Sequence, residues 1–243
     1  MTVHSFRHRQ YWYLGREREK KWLLAMYRLV GPSDTVFDIG GHIGYTALFF
    51  SWLATEGSVH VFEPGPNNRP YLERNVRERR NVTVVNEGVG KTVGSATLYM
   101  EDLSGQNNSF VEQFDGLAET QALAFVAPEV SPIDVPITTI DDYSQRTGVY
   151  PSFLKIDVEG FELPVLLGAK HTLENHRPAM LLEVQKDRSE IFDYMTACGY
   201  LALNERFEVI SKSGDMKLYN VFLHAQQHRW AIDHFSPNVP SEK

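Results

Sequence analysis

A chain of 243 residues with 42% apolar content is long enough to bury a full core, and it suits one large α/β domain with insertions better than two small domains. The net charge of -7, with acids and bases interspersed, leaves no basic stripe to neutralise a phosphate backbone, which argues against nucleic acid as a partner. The single Cys198 excludes an intrachain disulfide or a cysteine zinc cluster, and the longest apolar run, Ala47–Ala54, is too short for a bilayer span. With no signal peptide visible around His4, Arg7, His8 and Arg9, the expectation is a soluble, cytoplasmic protein without a membrane partner.

Along the chain, Trp12, Leu23, Leu24, Tyr27 and Val30 recur at helical spacing until Gly31-Pro32, so residues 1–32 read as an N-terminal helical segment before a domain at 33–243. Thr35–Ile39 is a short apolar strand, Tyr45–Ala54 an apolar helix and Ser58–Glu63 a second strand. This βαβ unit forces parallel strands that must be covered on both faces. A helix over about Asn68–Arg79 and a strand over Val82–Asn86 continue the alternation. Gly88–Ser95 looks like a glycine motif but leads into the strand Ala96–Met100 and not into a helix, so it is no phosphate loop.

Residues 102–134 read as a lid-like insertion, and Val135–Thr139, with Pro136 inside it, as an edge strand. A buried strand Ser152–Asp157, a helix Glu162–Leu173, a strand Met180–Val184 and a helix Ser189–Ala197 follow. Two terminal strands, Tyr200–Asn204 and Lys217–Leu223, are placed to form an antiparallel hairpin around Gly214. The reading is an open α/β fold of about seven mostly parallel strands, with helices on both faces.

In such a sheet ligands bind at the carboxyl ends of the strands. Asp38, Glu63, Asn86 and Asp157 end four successive strands, and Gly40, Gly41, His42 and Gly44 turn the first strand into a helix. Glu63, nineteen residues beyond Gly44, is placed to accept hydrogen bonds from ribose hydroxyls. A carboxylate directly before the glycines would repel a dinucleotide's diphosphate, whereas S-adenosylmethionine brings an ammonium and a sulfonium. Asp38 therefore favours the methyl donor.

The blocks Phe37–Thr46, Val61–Pro64, Asn86, Pro136–Asp142, Phe153–Glu162, Leu166–Ala169 and Leu182-Glu183 resemble the FkbM-family methyltransferases, with Lys155–Gly160 the most specific part. The resemblance implies a class I methyltransferase, Rossmann-like fold, S-adenosylmethionine as donor with S-adenosylhomocysteine as product, and O-methylation of a hydroxyl on a sugar, glycan or secondary metabolite. It also implies that Asp38, Gly40, Gly44 and Thr46 line the methionine end, with Gly41, His42 and Tyr45 in the same loop. Glu63 with Pro64 would meet the ribose, Asn86 with Glu87 the adenine edge, and Asp157 and Glu159 the transferring methyl. His42 stands where many members carry asparagine.

Transfer to oxygen needs alignment and a base within reach, and Asp157, Glu159, Lys155 and His42 are the candidates, with Asp157 favoured and Lys155 also readable as a structural ion pair. Asn107, Asn108, Ser109 and Phe110 in the lid, and Glu183 at a strand end, are candidate acceptor contacts. Asp157, Glu159 and Glu183 offer the oxygen ligands of Mg²⁺, but Val184-Gln185 replaces the Asp-Asn pair associated with that site, so a metal-free mechanism is expected. Two other functions stay open: a nicotinamide-dependent oxidoreductase, although no Tyr-x-x-x-Lys occurs, and a catalytically silent nucleotide-binding module.

Overall fold

A computed structural model describes residues 1–4, 8, 20–102, 104–112 and 129–235. The first half of the expected N-terminal helix, with Trp12, the middle of the expected lid and the last eight residues lie outside the described residues. In chain order the elements are α1 (Lys20–Leu29), β1 (Thr35–Ile39), α2 (Tyr45–Leu53), β2 (Ser58–Phe62), α3 (Arg69–Val76), β3 (Val82–Val85), β4 (Gly88–Val89), β5 (Gly94–Glu101) and β6 (Val130–Thr138). There follow α4 (Ile140–Thr147), β7 (Phe153–Ile156), α5 (Glu162–Leu167), α6 (Lys170–Asn175), β8 (Ala179–Glu183), α7 (Arg188–Ala197), β9 (Tyr200–Leu203), β10 (Val209–Ile210), β11 (Tyr219–His224) and α8 (Arg229–Phe235).

The predicted βαβ unit forms as its sequence dictates. β1 and β2 pair in parallel with Asp38 opposite Val61, and α2 covers the crossover. Successive residues of each strand enter opposite cores: Phe37, Ile39 and Phe62 pack on one face, Val36, Val59 and Val61 on the other. Burial on both sides is why these strands read as continuous apolar runs and not as alternating ones.

The main sheet has eight strands in the order β10-β9-β11-β8-β7-β1-β2-β3. This is one more than the seven expected, because β10 adds two residues to the edge of β9. β11 runs antiparallel to both β8 and β9, so the predicted terminal hairpin exists as a pairing, with β10 and a 3₁₀ turn over Ser213–Asp215 in its connection. Chain order reverses between β1 and β7, which are parallel neighbours with Asp38 beside Lys155. A crevice at the carboxyl ends of the strands is expected at such a point.

Several expectations are corrected. The segment read as an edge strand at 135–139 is the centre of a separate three-stranded sheet, β4-β6-β5, and the strand extends back to Val130 into what was read as lid. Proline is accommodated because β4 meets only Ile137 and Thr138. Pro132 and Pro136, four residues apart, direct their nitrogens to one side, and most of that side is open. The predicted helix Glu162–Leu173 is two short helices. At Gly168 an added Cβ would lie 2.0 Å from the Gly90 carbonyl oxygen, so the helical path yields there to a close backbone crossing. The sequence reading also missed α4, which is capped by the Thr139 hydroxyl accepting from the Asp142 N–H.

Candidate active site

The loop after β1 owes its glycines first to packing. Gly40 has φ 80°, and a Cβ there would stand 1.8 Å from the Asp157 carbonyl oxygen of the neighbouring strand; one on Gly41 would stand 2.1 Å from Val61 Cγ1. Both amides donate to the Phe62 carbonyl, at 3.0 and 3.1 Å, which draws the loop over the end of β2. His42 follows with φ 49°, a left-handed conformation that is costly for a residue with a side chain.

That turn aims the His42 N–H at Glu63 Oε2, 2.8 Å away, while Glu63 Oε1 accepts from the Gly65 N–H at 2.8 Å and from Asn68 Nδ2 at 3.3 Å. Burial pushes the Glu63 carboxyl up to about 7, against the pull of these donors. Asn68 Nδ2 also donates to the Gly105 carbonyl at 2.9 Å, tying this acid to the segment 104–110. The His42 ring is driven down to about 3 by burial, so it is a neutral imidazole, and its Nε2–H donates to the Ser104 carbonyl at 3.2 Å.

At the switch point Lys155 on β7 lies 3.3 Å from Asp38 Oδ1 and 3.3 Å from Asp157 Oδ2, and donates to the Gly40 carbonyl at 2.9 Å. Burial alone would lower its proton affinity; the carboxylates of Asp157 and Asp38 outweigh that and hold the ammonium charged. Asp38 is fully buried, with its other oxygen accepting from the Thr46 hydroxyl at 2.7 Å.

Beyond Lys155 three acids meet. Asp157, Glu159 and Glu183 each bring an oxygen within 4.8 Å of the others. Such oxygens suit a hard cation, and hydrogen bonds also link them: Gln185 Nε2 reaches Glu159 Oε2 at 2.6 Å and Glu183 Oε2 at 2.9 Å, and the Tyr219 hydroxyl reaches Asp157 Oδ2 at 3.2 Å. Burial favours the protonated form of all three, but Lys155, with hydrogen bonds from Glu183 and Tyr219, holds Asp157 below the usual carboxylate range. Glu159 is pushed up to about 8 by burial and by the charge of Asp157, and Glu183 is raised by burial and by both neighbours.

These groups open into one cavity. Of the residues singled out in the sequence, Gly40, Gly41, His42, Tyr45, Thr46, Glu63, Pro64, Glu87, Asn108, Lys155, Asp157, Glu159 and Glu183 line it. Asp38, Gly44, Asn86, Asn107 and Ser109 do not: Asp38 lies beneath Lys155, Asn86 is exposed, and the Ser109 hydroxyl is buried and donates to the Glu159 carbonyl at 2.8 Å. Glu87 at the rim is paired with Arg146.

Phe110, singled out with the lid residues, also lines the cavity, whereas sequence reasoning missed Trp22 and Met26 of α1, which form part of the wall, and Asn68 and Tyr219. Asn68 was detectable as the polar residue heading a helix five positions after Glu63. Tyr219 carried no signal, because it is brought in by the reversed strand β11 from the far end of the chain.

The fold and this site define a class I methyltransferase architecture: a mostly parallel sheet flanked by helices, with a glycine loop and an acidic rim at its switch point. A crystal structure of methyltransferase FkbM from Methylobacillus flagellatus KT shares it with a TM-score of 0.52 at 17% identity, over 79% of this chain and 44% of that one. The chain belongs to the FkbM methyltransferases, for its residues 38–202 match the methyltransferase FkbM domain. "Methyltransferase 1" of Beauveria bassiana is 28% identical over 158 residues, which are 56% of this chain and 59% of that protein. The chain thus spans about half the length of these relatives.

The exclusion of nucleic acid on grounds of charge is corrected. A protein from Clostridium thermocellum described as an rRNA methylase has the same fold, with a TM-score of 0.50 at 7% identity over 86% of this chain and 96% of that one. The fold thus occurs in a protein so described, and a net charge of -7 does not by itself exclude RNA as a partner. Among the described residues, no helix is long and apolar enough to cross a membrane.

Proposed function

We propose that this chain is an S-adenosylmethionine-dependent O-methyltransferase that acts on a hydroxyl of a sugar, glycan or secondary metabolite. The observation that carries the reading is the set of carboxyl groups in the cavity. Glu63, Asp157, Glu159 and Glu183 face it, and among the described residues the one lysine in its lining, Lys155, is already shared with Asp38. Such a lining offers carboxyl oxygens, with Asp157 held as an anion, to a guest carrying an ammonium and a sulfonium, whose charge favours release of the protons on Glu63, Glu159 and Glu183, and it leaves no unpaired cation for a diphosphate.

The residues present fit that donor. A carboxylate offers about four acceptor positions, and three at Glu63 are taken, which leaves capacity for a ribose hydroxyl. Gly40, Gly41 and His42 present backbone to the methionine end, with Tyr45 and Thr46 behind them, and Pro64 and Glu87 flank the nucleoside end. Asp38 acts through Lys155 and Thr46 as a buried support and not as a direct contact. The donor supplies an activated methyl group on a good leaving group; the protein's part is to align the acceptor, exclude water and take its proton.

In this reading Asp157 and Glu159 serve the reacting atoms, Glu183 and Asn108, which line the same cavity, hold the acceptor, and the segment around 104–110 serves as the inner part of a lid. Calorimetry with S-adenosylmethionine and with NAD tests the first half of the reading. Micromolar binding of the former and none of the latter is expected, and tight NAD binding would sink it. Mass spectrometry after incubation with methyl-labelled donor, a hydroxylated metabolite pool and, separately, RNA tests the second; label in RNA alone would overturn the small-acceptor assignment.

A further inference from the structure

We propose that Glu159 is the base that takes the acceptor's proton, and that Gln185 is its positioning residue, bridging Glu159 to Glu183 across the cavity. The inference rests on the methyl-transfer reading above. It reverses the sequence-based preference for Asp157, and the reason is in the hydrogen bonds.

Asp157 and Glu159 are both partly exposed to the cavity, two residues apart. Asp157 Oδ2 takes the Lys155 ammonium at 3.3 Å and the Tyr219 hydroxyl at 3.2 Å. Donors and a cation on one carboxylate stabilise its anion and leave it little affinity for a further proton. Asp157 is therefore better suited to remain charged than to accept.

Glu159 differs. Among the described residues its carboxylate receives one side-chain hydrogen bond, from Gln185 Nε2 at 2.6 Å, and no cation is paired with it. The groups that face it are Lys155 on β7, Asp157 just beyond it, Glu162 from α5, and Glu183 and Gln185 from β8 and the turn after it; after burial, the Asp157 charge is the chief influence raising its proton affinity, and the more distant ammonium only partly offsets it. Burial and those charges place its proton affinity at about 8, near the working range of a general base.

The backbone supports the same assignment. Glu159 adopts φ 52°, followed by Gly160 at φ 90°, and its carbonyl is held by the Ser109 hydroxyl at 2.8 Å. A side-chain residue kept in this conformation is costly, and here it turns the carboxylate into the cavity beside Asp157.

Gln185 fixes where that carboxylate points. Its amide NH₂ has two hydrogens and meets two acids, at 2.6 and 2.9 Å; an amide oxygen in the same place would face acceptors on both sides. In the transfer step the acceptor oxygen forms its bond to the methyl carbon while the carbon–sulfur bond breaks. The electron pair stays on sulfur as the neutral thioether, and the hydroxyl proton passes to Glu159.

The test has a readout that needs no turnover. Full-length protein labelled with ¹³C at the glutamate carboxyl carbon is titrated by NMR without donor, and the Glu159 resonance is identified by its loss in Glu159→Gln. Its midpoint is expected near 8, and Gln185→Leu is expected to move it up by about one pH unit through loss of the amide donor, with Gln185→Asn restoring part of the shift.

In methyl transfer, the acidic limb of the pH–rate profile should follow that midpoint in both wild type and Gln185→Leu. Glu159→Gln should lose on the order of 100-fold or more in turnover with donor affinity unchanged, as removal of a general base does. A Glu159 midpoint near 4, as for a solvated glutamate, overturns the proposal. So does a midpoint indifferent to Gln185→Leu in a variant whose thermal unfolding shows it folded, or its collapse on addition of Mg²⁺ alone. Failure of the donor to bind in calorimetry would instead strike the methyl-transfer reading, and the titration would remain interpretable.

Discussion

Lys155 Nζ stands 3.3 Å from Oδ1 of Asp38, its register partner on the adjacent parallel strand, with both side chains almost wholly withdrawn from solvent. This pair changes the meaning of the first strand's acid. From sequence alone Asp38 is a negative charge awaiting a cationic ligand; in the fold its cation is internal, and the carboxyl groups left to meet a guest are Glu63 and the acids beyond Lys155.

Lys155→Met should therefore be costly to stability. It strands the Asp38 carboxylate, 0% exposed, without its counter-charge, and breaking a buried pair this way typically costs about 3–5 kcal/mol. Urea unfolding of wild type and variant measures the difference. A loss below ~1 kcal/mol would show that this ion pair contributes little to the stability of the fold.

Glu63→Ala is expected to weaken S-adenosylmethionine binding by about 1–3 kcal/mol, the usual range for a lost charge-assisted hydrogen bond. Because Asn68 bonds both Glu63 and the Gly105 carbonyl, Asn68→Ala should also weaken binding, by less, while leaving the acid in place. Calorimetry on both variants checks the ordering; unaltered affinity in Glu63→Ala would remove its ribose role.

Gly40→Ala combines a left-handed backbone at φ 80° with a Cβ placed 1.8 Å from the Asp157 carbonyl oxygen. We expect a loss of more than ~1 kcal/mol in stability, from the backbone conformation together with the forced separation of β1 and β7. Thermal melts report the stability, and donor binding should fall in parallel, since the same displacement moves Lys155 and Asp157.

The buried acids predict the pH dependence of the donor-free protein. Glu63 and Glu162 at about 7, Glu159 at about 8 and the raised Glu183 all retain protons in the fold that the unfolded chain has already released. The stability they contribute is fully present below the ordinary glutamate range and is lost as pH rises through the folded values. His42, lowered to about 3, and His228, lowered to about 4, act oppositely, but their contribution is lost only as pH falls below the ordinary histidine value of 6.5. Asp157, held low, likewise matters only in acid. Above roughly pH 7.5, one unit past the ordinary histidine value, the carboxylates dominate, so the melting temperature should fall from there to roughly 8.5. A rise would show these acids ionised in the folded state.

The alternation of elements, the parallel sheet and the strand ends that carry Asp38, Glu63 and Asp157 were legible in the linear chain, since apolar runs, glycine turns and crossover helices are local signals. It also supplied the family resemblance through contiguous blocks such as Lys155–Gly160. It could not give the role of Pro136, because whether a strand is central or peripheral depends on which other segments reach it. Nor could it give the pairing of Asp38 with Lys155, 117 positions apart, or the meeting of Glu159 with Gln185 and of Asp157 with Tyr219. Those contacts follow from the order in which strands lie side by side, and they decide which acid is an anion, which holds a proton and which is merely buried. Proton affinity is set by the neighbours a carboxylate acquires across the sheet, and a linear chain does not encode those neighbours locally.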